Sequence, residues 1–452
     1  MIQTEAAQTV IISVHFAPED ALVAELNTLL QTLHDDIVVV DKVQTQTHHT
    51  LFLNVPDEQA AVIINKINSL EGVGAAALDT TFSHHIGGKI EVISTMAIKG
   101  REDLSMAYTP EVAKVCTAIE HNPEQADTFT MRQNAVAIIS DGTAVLGLGD
   151  IGPKAALPVM EGKALLFKEF ANINAFPLCL ATKDIDEIIR TVTYLAPNFG
   201  GINLEDISAP RCFAIEEQLK KIMDIPVFHD DQHGTAIVVL AGLINALKLV
   251  KKNHQEVKVV INGAGAAGVA ITKLLIYYGV KNIIVLDSVG AICAERDNLN
   301  NIKAEISQLT NPNDLQGGLE NVIEGADVFI GVSVANLLKP EWLHLMKKQP
   351  IIFAMANPVP EIDPKLALES GAAVVATGRS DYPNQINNVL AFPGVFRGAL
   401  DNQIKQITDQ HKLAAAIALA GIIPDDQLTA DNIIVDAFNS EVVKVISSIF
   451  KS

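Results

Sequence analysis

The chain of 452 residues carries 33 basic and 53 acidic side chains, which leaves a net charge of −20 at pH 7 and argues against nonspecific binding of nucleic acid. A hydrophobic content of 49% fits a soluble globular enzyme of about two to four domains. No basic segment followed by an apolar core opens the chain, so no signal peptide is expected, and four widely spaced cysteines predict free thiols in a reducing cytoplasm.

The first segment, from Thr9 to about Ile86, alternates strands and helices in the order βαββαβ. This order is the ferredoxin-like arrangement. The segment resembles an ACT domain, a regulatory module that binds small ligands such as amino acids and usually pairs with a second copy. The predicted strands are Val10–Phe16, Asp36–Thr47, Thr50–Val55 and Ala75–Phe82, and helices begin at Pro18 and near Asp57.

A tyrosine stands just before a predicted helix start in the next segment. Lys89–Thr95 predicts a short strand, and Thr109–Pro110 with Glu111 behind it predicts the first turn of a helix. Tyr108 immediately precedes that turn. Its ring either packs in the core with the hydroxyl at the surface, or the hydroxyl is an acid beside the positive end of the helix.

A lysine lies in the strongly apolar segment VMEGKALLFKEF. Apolar surroundings disfavour the charged amine, so Lys163 could act as a base near neutral pH. The alternative is a lysine whose stem follows the helix face out to solvent. The upstream GLGDIG is not interpreted as a dinucleotide fingerprint, because Pro153 follows at once and no acid-terminated second strand comes about twenty residues later.

Two acidic pairs each follow an apolar run in the middle of the chain. Glu205–Asp206 comes after Gly201–Leu204, and Asp230–Asp231 comes after Ile225–Phe228. A strand–helix–strand unit brings two strand ends side by side, where carboxylates can converge on one divalent cation. The alternative is that these acids cap helices or occupy turns.

A dinucleotide-binding unit is predicted in the sequence that runs from VKVVINGAGAAG to IIVLD. Gly263, Gly265 and Gly268 form a G-x-G-x-x-G motif where a strand passes into a helix. The pyrophosphate is expected at the helix N-terminus and the ribose hydroxyls on Asp287. No basic residue directly follows Asp287 to receive a 2′-phosphate, which favours NAD over NADP, although Arg296 could reach it.

Three further strands continue the α/β alternation towards the C-terminus. Ligand-binding loops of such sheets follow the carboxyl ends of strands, which places Ser333, Asn357 and Thr377 near a ligand. Asn387 and Asn388 are neutral donors suited to a carboxylate or a nicotinamide amide. The pattern predicts an α/β fold with a Rossmann-type doubly wound NAD-binding domain, an α/β substrate domain and the N-terminal ferredoxin-like domain.

Eight motifs in one order resemble the malic enzyme family in its shorter bacterial form. They are AYTPEVA, SDGTAVLGLGDIGP, PVMEGKALLFKEF, GGINLEDISAP, FHDDQHGTA, INGAGAAG, FAMANPVPEI and NQINNVLAFPG. The resemblance implies oxidative decarboxylation of (S)-malate to pyruvate and CO₂ with reduction of NAD or NADP. It implies that Tyr108 is the general acid, that Lys163 is the general base and that Asp230 supports the lysine. The implied ligand sets are Glu205, Asp206 and Asp231 for Mn²⁺ or Mg²⁺, Gly263, Ala264, Gly265, Ala266, Ala267, Gly268, Asp287 and Asn357 for the dinucleotide, and Asn387 and Asn388 for malate.

We expect three domains: residues 1–86 are ACT-like, residues 87–234 hold the substrate, and residues 235–452 bind NAD and end in helices. A homodimer or larger homo-oligomer in the cytoplasm is expected, with a small-molecule effector at the ACT-like domain and no nucleic acid or membrane partner. Two positions depart from the family pattern. Glu111 stands where the family usually has glycine, and Val145 stands where an arginine binds malate in the large forms.

Three alternatives remain open at this point. An amino-acid dehydrogenase also joins a substrate domain to a Rossmann domain, but it uses no metal. A malolactic enzyme would convert malate to lactate and retain its NAD. A regulatory protein would bind a nucleotide and an ACT ligand without turnover, an interpretation that the Glu111 departure keeps open.

Overall fold

A computed structural model describes residues 9–16, 20–33, 37–44 and 49–451. The chain divides into two compact units, Met1–Val92 and Ile93–Ser452. Each unit buries its own set of hydrophobic side chains. The domain boundaries predicted after residues 86 and 234 stay predictions.

The first unit has the predicted βαββαβ order. Its elements are β1 (Thr9–Phe16), α1 (Asp20–Leu33), β2 (Val38–Gln44), β3 (His49–Pro56), α2 (Asp57–Asn68), β4 (Val73–Leu78) and the short α3 (Thr80–Ser83). The sheet is antiparallel with strand order β2-β3-β1-β4, which matches the ferredoxin-like arrangement. Ile12 and Val14 of β1 are buried with Ile63 and Ile67 of α2, because each pair repeats at the period of its element. That the unit binds an effector as ACT domains do stays a prediction.

The last strand of this unit is shorter than predicted. It ends at Leu78 rather than at Phe82. Asp79 Oδ1 accepts the N–H of Thr81 at 2.9 Å, and this local bond turns the chain into α3.

The strand predicted at Lys89–Thr95 is absent. No described residue pairs with this segment in a sheet, and Val92 is 88% exposed. Apolar residues are not enough to form a strand here, because no described strand forms hydrogen bonds with the backbone of this segment. The predicted helix start at Pro18, and residues 36 and 45–47 of the second predicted strand, lie outside the described residues.

The second unit begins with a small parallel sheet. Its elements are α4 (Arg101–Ala107), α5 (Val112–His121), α6 (Ala126–Phe129), β5 (Ala135–Ser140), α7 (Gly152–Ala171), β6 (Asn174–Cys179), α8 (Ile185–Leu195), β7 (Gly201–Leu204), α9 (Arg211–Ile222), β8 (Val227–His229) and α10 (Asp230–Leu249). The strand order is β6-β5-β7-β8, and every neighbouring pair is parallel. All four strands therefore present their carboxyl ends at one edge.

A six-stranded sheet follows. Its elements are β9 (Lys258–Asn262), α11 (Ala266–Tyr278), β10 (Asn282–Asp287), β11 (Gly290–Ala291), α12 (Asn301–Leu309), α13 (Leu319–Val322), β12 (Val328–Gly331), β13 (Ile351–Ala354), α14 (Pro364–Glu369), β14 (Val374–Thr377), α15 (Phe392–Asp401), α16 (Asp409–Ala420) and α17 (Glu441–Ser448). The order β11-β10-β9-β12-β13-β14 is the Rossmann order, and only β11 runs antiparallel to its neighbour. The order reverses between β9 and β12, where such folds bind ligands.

Helix α10 lies in the largest core of the second unit. Its residues from Ala236 to Leu247 are all buried, as predicted for an apolar core helix. By length and composition it is the one helix among the described residues that could cross a membrane, and 78% of that stretch is buried inside the protein. Its first two residues, Asp230 and Asp231, are both acidic.

Candidate active site

Four acidic residues converge at one edge of the small sheet, as predicted. Glu205 and Asp206 directly follow β7, and Asp230 and Asp231 directly follow β8 and open α10. Strands β7 and β8 are parallel neighbours, with Leu204 paired to His229, so both acidic pairs leave the sheet side by side. The alternative of acids at helix ends holds in part, because Asp230 and Asp231 lie in the first turn of α10, but the acids also lie together.

Three of these acids could hold a cation together. Glu205, Asp206 and Asp231 each offer a carboxylate oxygen, and these oxygens lie within 4.8 Å of one another. Asp206 Oδ2 is buried and has no hydrogen-bond partner among the described residues. Burial, followed by repulsion from Asp231 and Glu205, raises the pKa of Asp206 to about 9. A buried set of repelling oxygen donors with an unsatisfied member fits a hard divalent cation.

Backbone contacts hold Asp206 in an uncommon conformation. Its φ of +53° lies in the left-handed region, which residues other than glycine adopt rarely. Its carbonyl accepts the N–H groups of Thr143 and Ala144 at 3.1 and 3.0 Å, and its own N–H donates to Asp231 Oδ2 at 2.8 Å. The loop after β5 and the start of α10 therefore both constrain this residue.

Lys163 points into the same cluster from α7. Its Nζ lies 2.5 Å from Asp230 Oδ2 and 2.8 Å from Glu205 Oε1, and 4.1 Å from the centre of the Phe392 ring. Its side chain is only 8% exposed, so the alternative of a lysine reaching solvent is wrong. Burial lowers the pKa of Lys163, but attraction to Asp230 and Glu205 outweighs burial and raises the pKa overall. The expectation of a depressed pKa is therefore wrong for the cluster as it stands, because carboxylates rather than apolar groups surround the amine.

Asp230 is fully buried beside a glycine that must stay small. Its Oδ2 binds Lys163, and its Oδ1 has no hydrogen-bond partner among the described residues. Burial raises the pKa of Asp230 to about 8 against the attraction of Lys163. A Cβ at Gly234 would lie 1.8 Å from Asp230 Oδ1, so any side chain there would displace the carboxylate.

The glycine-rich turn after β9 has the predicted conformation. Gly263 has a φ of +125°, and a Cβ there would lie 2.5 Å from the carbonyl oxygen of Val332. A Cβ at Gly268 would lie 1.8 Å from the carbonyl oxygen of Gly263. Gly265 is the residue that precedes α11, so the turn leads directly into a helix N-terminus. This packing leaves the backbone open to a pyrophosphate at that terminus.

A cavity of about 540 Å³ lies at this turn. Of the predicted dinucleotide residues, Gly263, Ala264, Gly265 and Asp287 line it, while Ala266, Ala267 and Gly268 form the first turn of α11 behind it. Ser333 also lines the cavity, as its place after β12 predicted.

Asp287 is paired with two cations, Arg296, which the sequence analysis had named as able to reach this place, and Lys303, which it had not named. Arg296 contacts both carboxylate oxygens of Asp287 at 2.9 and 3.0 Å, and Lys303 Nζ lies 2.7 Å from Oδ2. Burial acts to raise the pKa of Asp287, but these hydrogen bonds outweigh it and lower the pKa. A basic side chain therefore does lie at Asp287, because Lys303 comes from α12 rather than from the residues that directly follow β10. The preference for NAD over NADP stays a prediction.

The three predicted asparagines occupy different positions. Asn388 lies beside Gly234, with its Cβ 3.2 Å from the place of a Cβ on that glycine, and so borders the acidic cluster. The side-chain oxygen Oδ1 of Asn387 accepts the backbone N–H of Val389 at 3.0 Å. Asn357 follows β13, and its carbonyl oxygen lies 3.4 Å from the place of a Cβ on Gly147, so the loops after β5 and β13 face each other.

Tyr108 is not brought to the cluster. It ends α4, its side chain is 72% exposed, and its hydroxyl has no hydrogen-bond partner among the described residues. Glu111 forms an ion pair with Lys114, one helical turn away. Val145 is 3% exposed and bridges to Gly149, so its side chain packs in the protein interior.

Two residues that support the cluster were not identified from the sequence. Asn203 is fully buried, and its Nδ2 donates to Glu205 Oε2 at 2.8 Å. Glu216 on α9 is 5% exposed and accepts the N–H of His229. A polar residue inside the apolar strand GINL was a usable signal for Asn203, whereas Glu216 looks like any acid on an amphipathic helix.

Two known protein families match most of the second unit. The family described as "Malic enzyme, N-terminal domain" matches residues 87–220, and "Malic enzyme, NAD binding domain" matches residues 232–445. Solved structures agree. The NAD-dependent malic enzyme of Thermotoga maritima has a TM-score of 0.80 at 51% identity, covering 82% of this chain and 98% of that one. The malic enzyme of Pyrococcus horikoshii has a TM-score of 0.78 at 46% identity, covering 80% and 86%.

Curated relatives use both nicotinamide cofactors. An NAD-dependent malic enzyme of Geobacillus stearothermophilus is 53% identical over 97% of this chain and 93% of its own length. A bifunctional malic/malolactic enzyme of Bacillus subtilis is 56% identical over 80% of this chain and 88% of its own length. An NADP-dependent malic enzyme of Escherichia coli is 49% identical over 76% of this chain, which spans 45% of that longer protein.

Proposed function

The chain belongs to the malic enzyme family, and from that premise we propose how its own residues carry out the reaction. It is an NAD(P)-dependent enzyme that oxidises and decarboxylates (S)-malate to pyruvate and CO₂. The alternatives of an amino-acid dehydrogenase and of a regulator without turnover are set aside by this membership. One observation carries the residue assignments: a lysine and four carboxylates share one buried cluster.

Glu205, Asp206 and Asp231 are the proposed ligands of Mn²⁺ or Mg²⁺. Such an ion, when bound, would polarise the C2 oxygen of the substrate and stabilise negative charge on it during loss of CO₂. The unsatisfied Asp206 Oδ2 and the close approach of three carboxylates support this assignment. Asn203 would hold Glu205 in orientation through its 2.8 Å hydrogen bond, as groups behind metal ligands do.

The dinucleotide is proposed to lie across the turn from Gly263 to Gly265. A bound dinucleotide would supply the acceptor for the hydride that leaves C2 of malate. The N-terminus of α11 would hold the pyrophosphate, and Asp287 would receive the adenosine ribose. Asn357 would contact the cofactor or the substrate, and Asn387 and Asn388 would border the malate pocket.

Lys163 is the proposed general base. Glu205 Oε1 lies 2.8 Å from Lys163 Nζ. If Glu205 also binds the metal ion, its negative charge is divided between the ion and the lysine. Sharing weakens the attraction that keeps Lys163 protonated, and the neutral amine can take the C2 hydroxyl proton. Asp230 keeps Nζ in place at 2.5 Å.

Tyr108 is the proposed general acid that protonates C3 after CO₂ has left. Its exposed position means that residues 101–110 must rearrange on substrate binding or on assembly. Apolar side chains in this region, among them Ile93, Met96 and Met106, are more than half exposed, which supports the proposal of a homodimer or larger homo-oligomer.

A combined assay tests these assignments. Formation of reduced nicotinamide is followed with malate, Mn²⁺ and either NAD or NADP, before and after chelation with EDTA. We expect turnover that EDTA abolishes and Mn²⁺ restores. Full turnover in EDTA would show that the three carboxylates do not hold a required metal.

A second candidate activity is malolactic conversion, because the Bacillus subtilis relative is bifunctional. The same site would then reduce pyruvate to lactate before the nicotinamide cofactor leaves. Lactate formed without net release of NADH would demonstrate this activity.

Regulation and location are further proposals. The βαββαβ unit supports an ACT-like role in binding a small-molecule effector. All four cysteines are free thiols, which supports a reducing cytoplasm. No nucleic acid or membrane partner is proposed.

A further inference from the structure

A buried glutamate lies behind the acidic cluster, on the far side of the first turn of α10. Glu216 belongs to α9 and is 5% exposed. Its Oε1 accepts the backbone N–H of His229 at 3.2 Å. Both of its oxygens lie within 2.9 Å of His233 Nε2, and Lys220 Nζ lies 2.7 Å from Oε1.

The direction of the bond between His233 and Glu216 follows from the carboxylate. Lys220 Nζ lies 3.4 Å from His233 Nε2 and Lys412 Nζ lies 3.3 Å from Nδ1, so the two lysines do not decide the tautomer. An ionised carboxylate can only accept, so Nε2 carries the hydrogen that it donates to Glu216 at 2.8 Å. Glu216 thus accepts three donors, from His229, His233 and Lys220.

The two residues that Glu216 holds bracket the functional pair. His229 immediately precedes Asp230, and His233 follows Asp231 by two positions. From the opposite side, Asp206 N–H donates to Asp231 Oδ2, and Lys163 binds Asp230 Oδ2. The turn from 229 to 233 is therefore fixed on one side by cluster residues and on the other by Glu216.

We propose that Glu216 is a positioning residue, which orients Asp231 and Asp230 through the N–H of His229 and the ring of His233. This inference rests on the proposed role of Asp231 as a metal ligand. Replacing Glu216 with alanine would leave a buried N–H without its acceptor, and the turn would shift to recover a partner. Loss of a residue that orients metal ligands typically weakens metal binding about 10- to 100-fold.

The chain offers a matched control. Glu217 is the next residue on the same helix, but its side chain is 69% exposed and its one ion pair among the described residues is with Lys221, one turn away. Glu217→Ala therefore removes the same chemical group without touching the turn. Glu216→Gln keeps an oxygen acceptor for His229 and His233 while removing the charge.

The experiment measures Mn²⁺ binding to the full-length protein by the electron paramagnetic resonance signal of free Mn²⁺, and NAD binding by calorimetry. We expect Glu216→Ala to weaken Mn²⁺ binding about 10- to 100-fold without changing NAD affinity. Glu216→Gln should recover most of the loss, and Glu217→Ala should behave as wild type. His233→Ala, which keeps the His229 contact, should give a smaller loss and serves if Glu216→Ala is insoluble.

Three results would overturn the proposal. Unchanged Mn²⁺ affinity in Glu216→Ala or His233→Ala would remove the positioning role. A parallel loss of Mn²⁺ and NAD affinity, not rescued by glutamine, would indicate a general effect on folding. Equal Mn²⁺ affinity in wild type and Asp231→Asn would show that the proposed metal site itself is wrong, whereas loss in Asp231→Asn alone would refute only the role of Glu216.

Discussion

Lys163 and Tyr108 are both assigned to proton transfer, yet their surroundings are opposite. Lys163 belongs to α7, which packs against the small sheet. Its side chain is 8% exposed and lies between the carboxylates of Glu205 and Asp230. Tyr108 is 72% exposed at the end of a seven-residue helix that has no buried residue. The difference teaches that the part of the proposed site built on strand ends is already assembled, whereas the role proposed for Tyr108 requires residues 101–110 to be brought to the site by a later event.

The largest effect is expected from Lys163→Ala. Removing a general base costs about 100- to 10,000-fold in rate, and the three metal ligands stay in place. Malate oxidation should fall by that factor while Mn²⁺ binding persists. Lys168→Ala is the control, since Lys168 is an exposed lysine on the same helix. Loss of Mn²⁺ binding together with activity would mean that the lysine only supports the carboxylates.

Tyr108→Phe tests the part of the proposed site that residues 101–110 form. Decarboxylation should fall by about 100-fold, because protonation at C3 loses its acid. Reduction of pyruvate-like keto acids needs no proton at C3 and should be spared. The two partial reactions are measured separately on one preparation, and equal loss in both would remove the acid role from Tyr108.

Gly234→Ala tests how rigid the acidic cluster at the ends of β7 and β8 is. The new Cβ would lie 1.8 Å from Asp230 Oδ1, so the carboxylate must move. A displacement of about 1 Å can cost up to about 100-fold in rate. The turnover number is compared with that of Gly100→Ala, a position with nothing within 4 Å of the added atom. Full activity in Gly234→Ala would show that the position of Asp230 is not critical.

A smaller effect is expected at the cofactor site. Lys303 and Arg296 both neutralise Asp287, and removing Lys303 leaves only Arg296 to offset the repulsion between this carboxylate and a 2′-phosphate. Lys303→Ala should therefore weaken NADP binding relative to NAD by about tenfold. Lys273→Ala, which removes a surface lysine paired with Glu305, is the control. Equal changes for both cofactors would exclude a role in discrimination.

The smallest effect concerns acid stability. Because Arg296 and Lys303 lower the pKa of Asp287 despite burial, this ion pair stabilises the fold at a pH above the ordinary Asp pKa. That contribution is lost as the pH falls below about 4 towards the lowered pKa. Unfolding curves of wild type and Asp287→Asn should therefore converge on acidification. A constant difference between them would contradict the assignment.

Local sequence signals predicted the parts of the site that depend on one strand and the turn after it. Gly263, Gly265 and Gly268 follow from the close approach of a helix to a strand. The acids after β7 and β8 follow because parallel strands end at one edge. The ferredoxin-like order of the first unit follows from alternating hydrophobic periods.

Features that depend on side chains from distant elements were not predictable. The family resemblance implied that Asp230 supports Lys163, but only the fold shows that Nζ also contacts Glu205 and that the two carboxylates reverse the direction of the pKa shift expected from its apolar neighbours. Lys303 and Glu216 reach their partners from helices whose sequences resemble ordinary surface helices.

The sequence by itself determined the fold class, the family and the identities of the residues at the strand ends, because these depend on patterns within short stretches. Only the tertiary structure decided which residues share one charge environment, because Coulomb interactions depend on distance in space and not on separation along the chain. It therefore placed Lys163 among carboxylates, gave Asp287 two cations and left Tyr108 exposed.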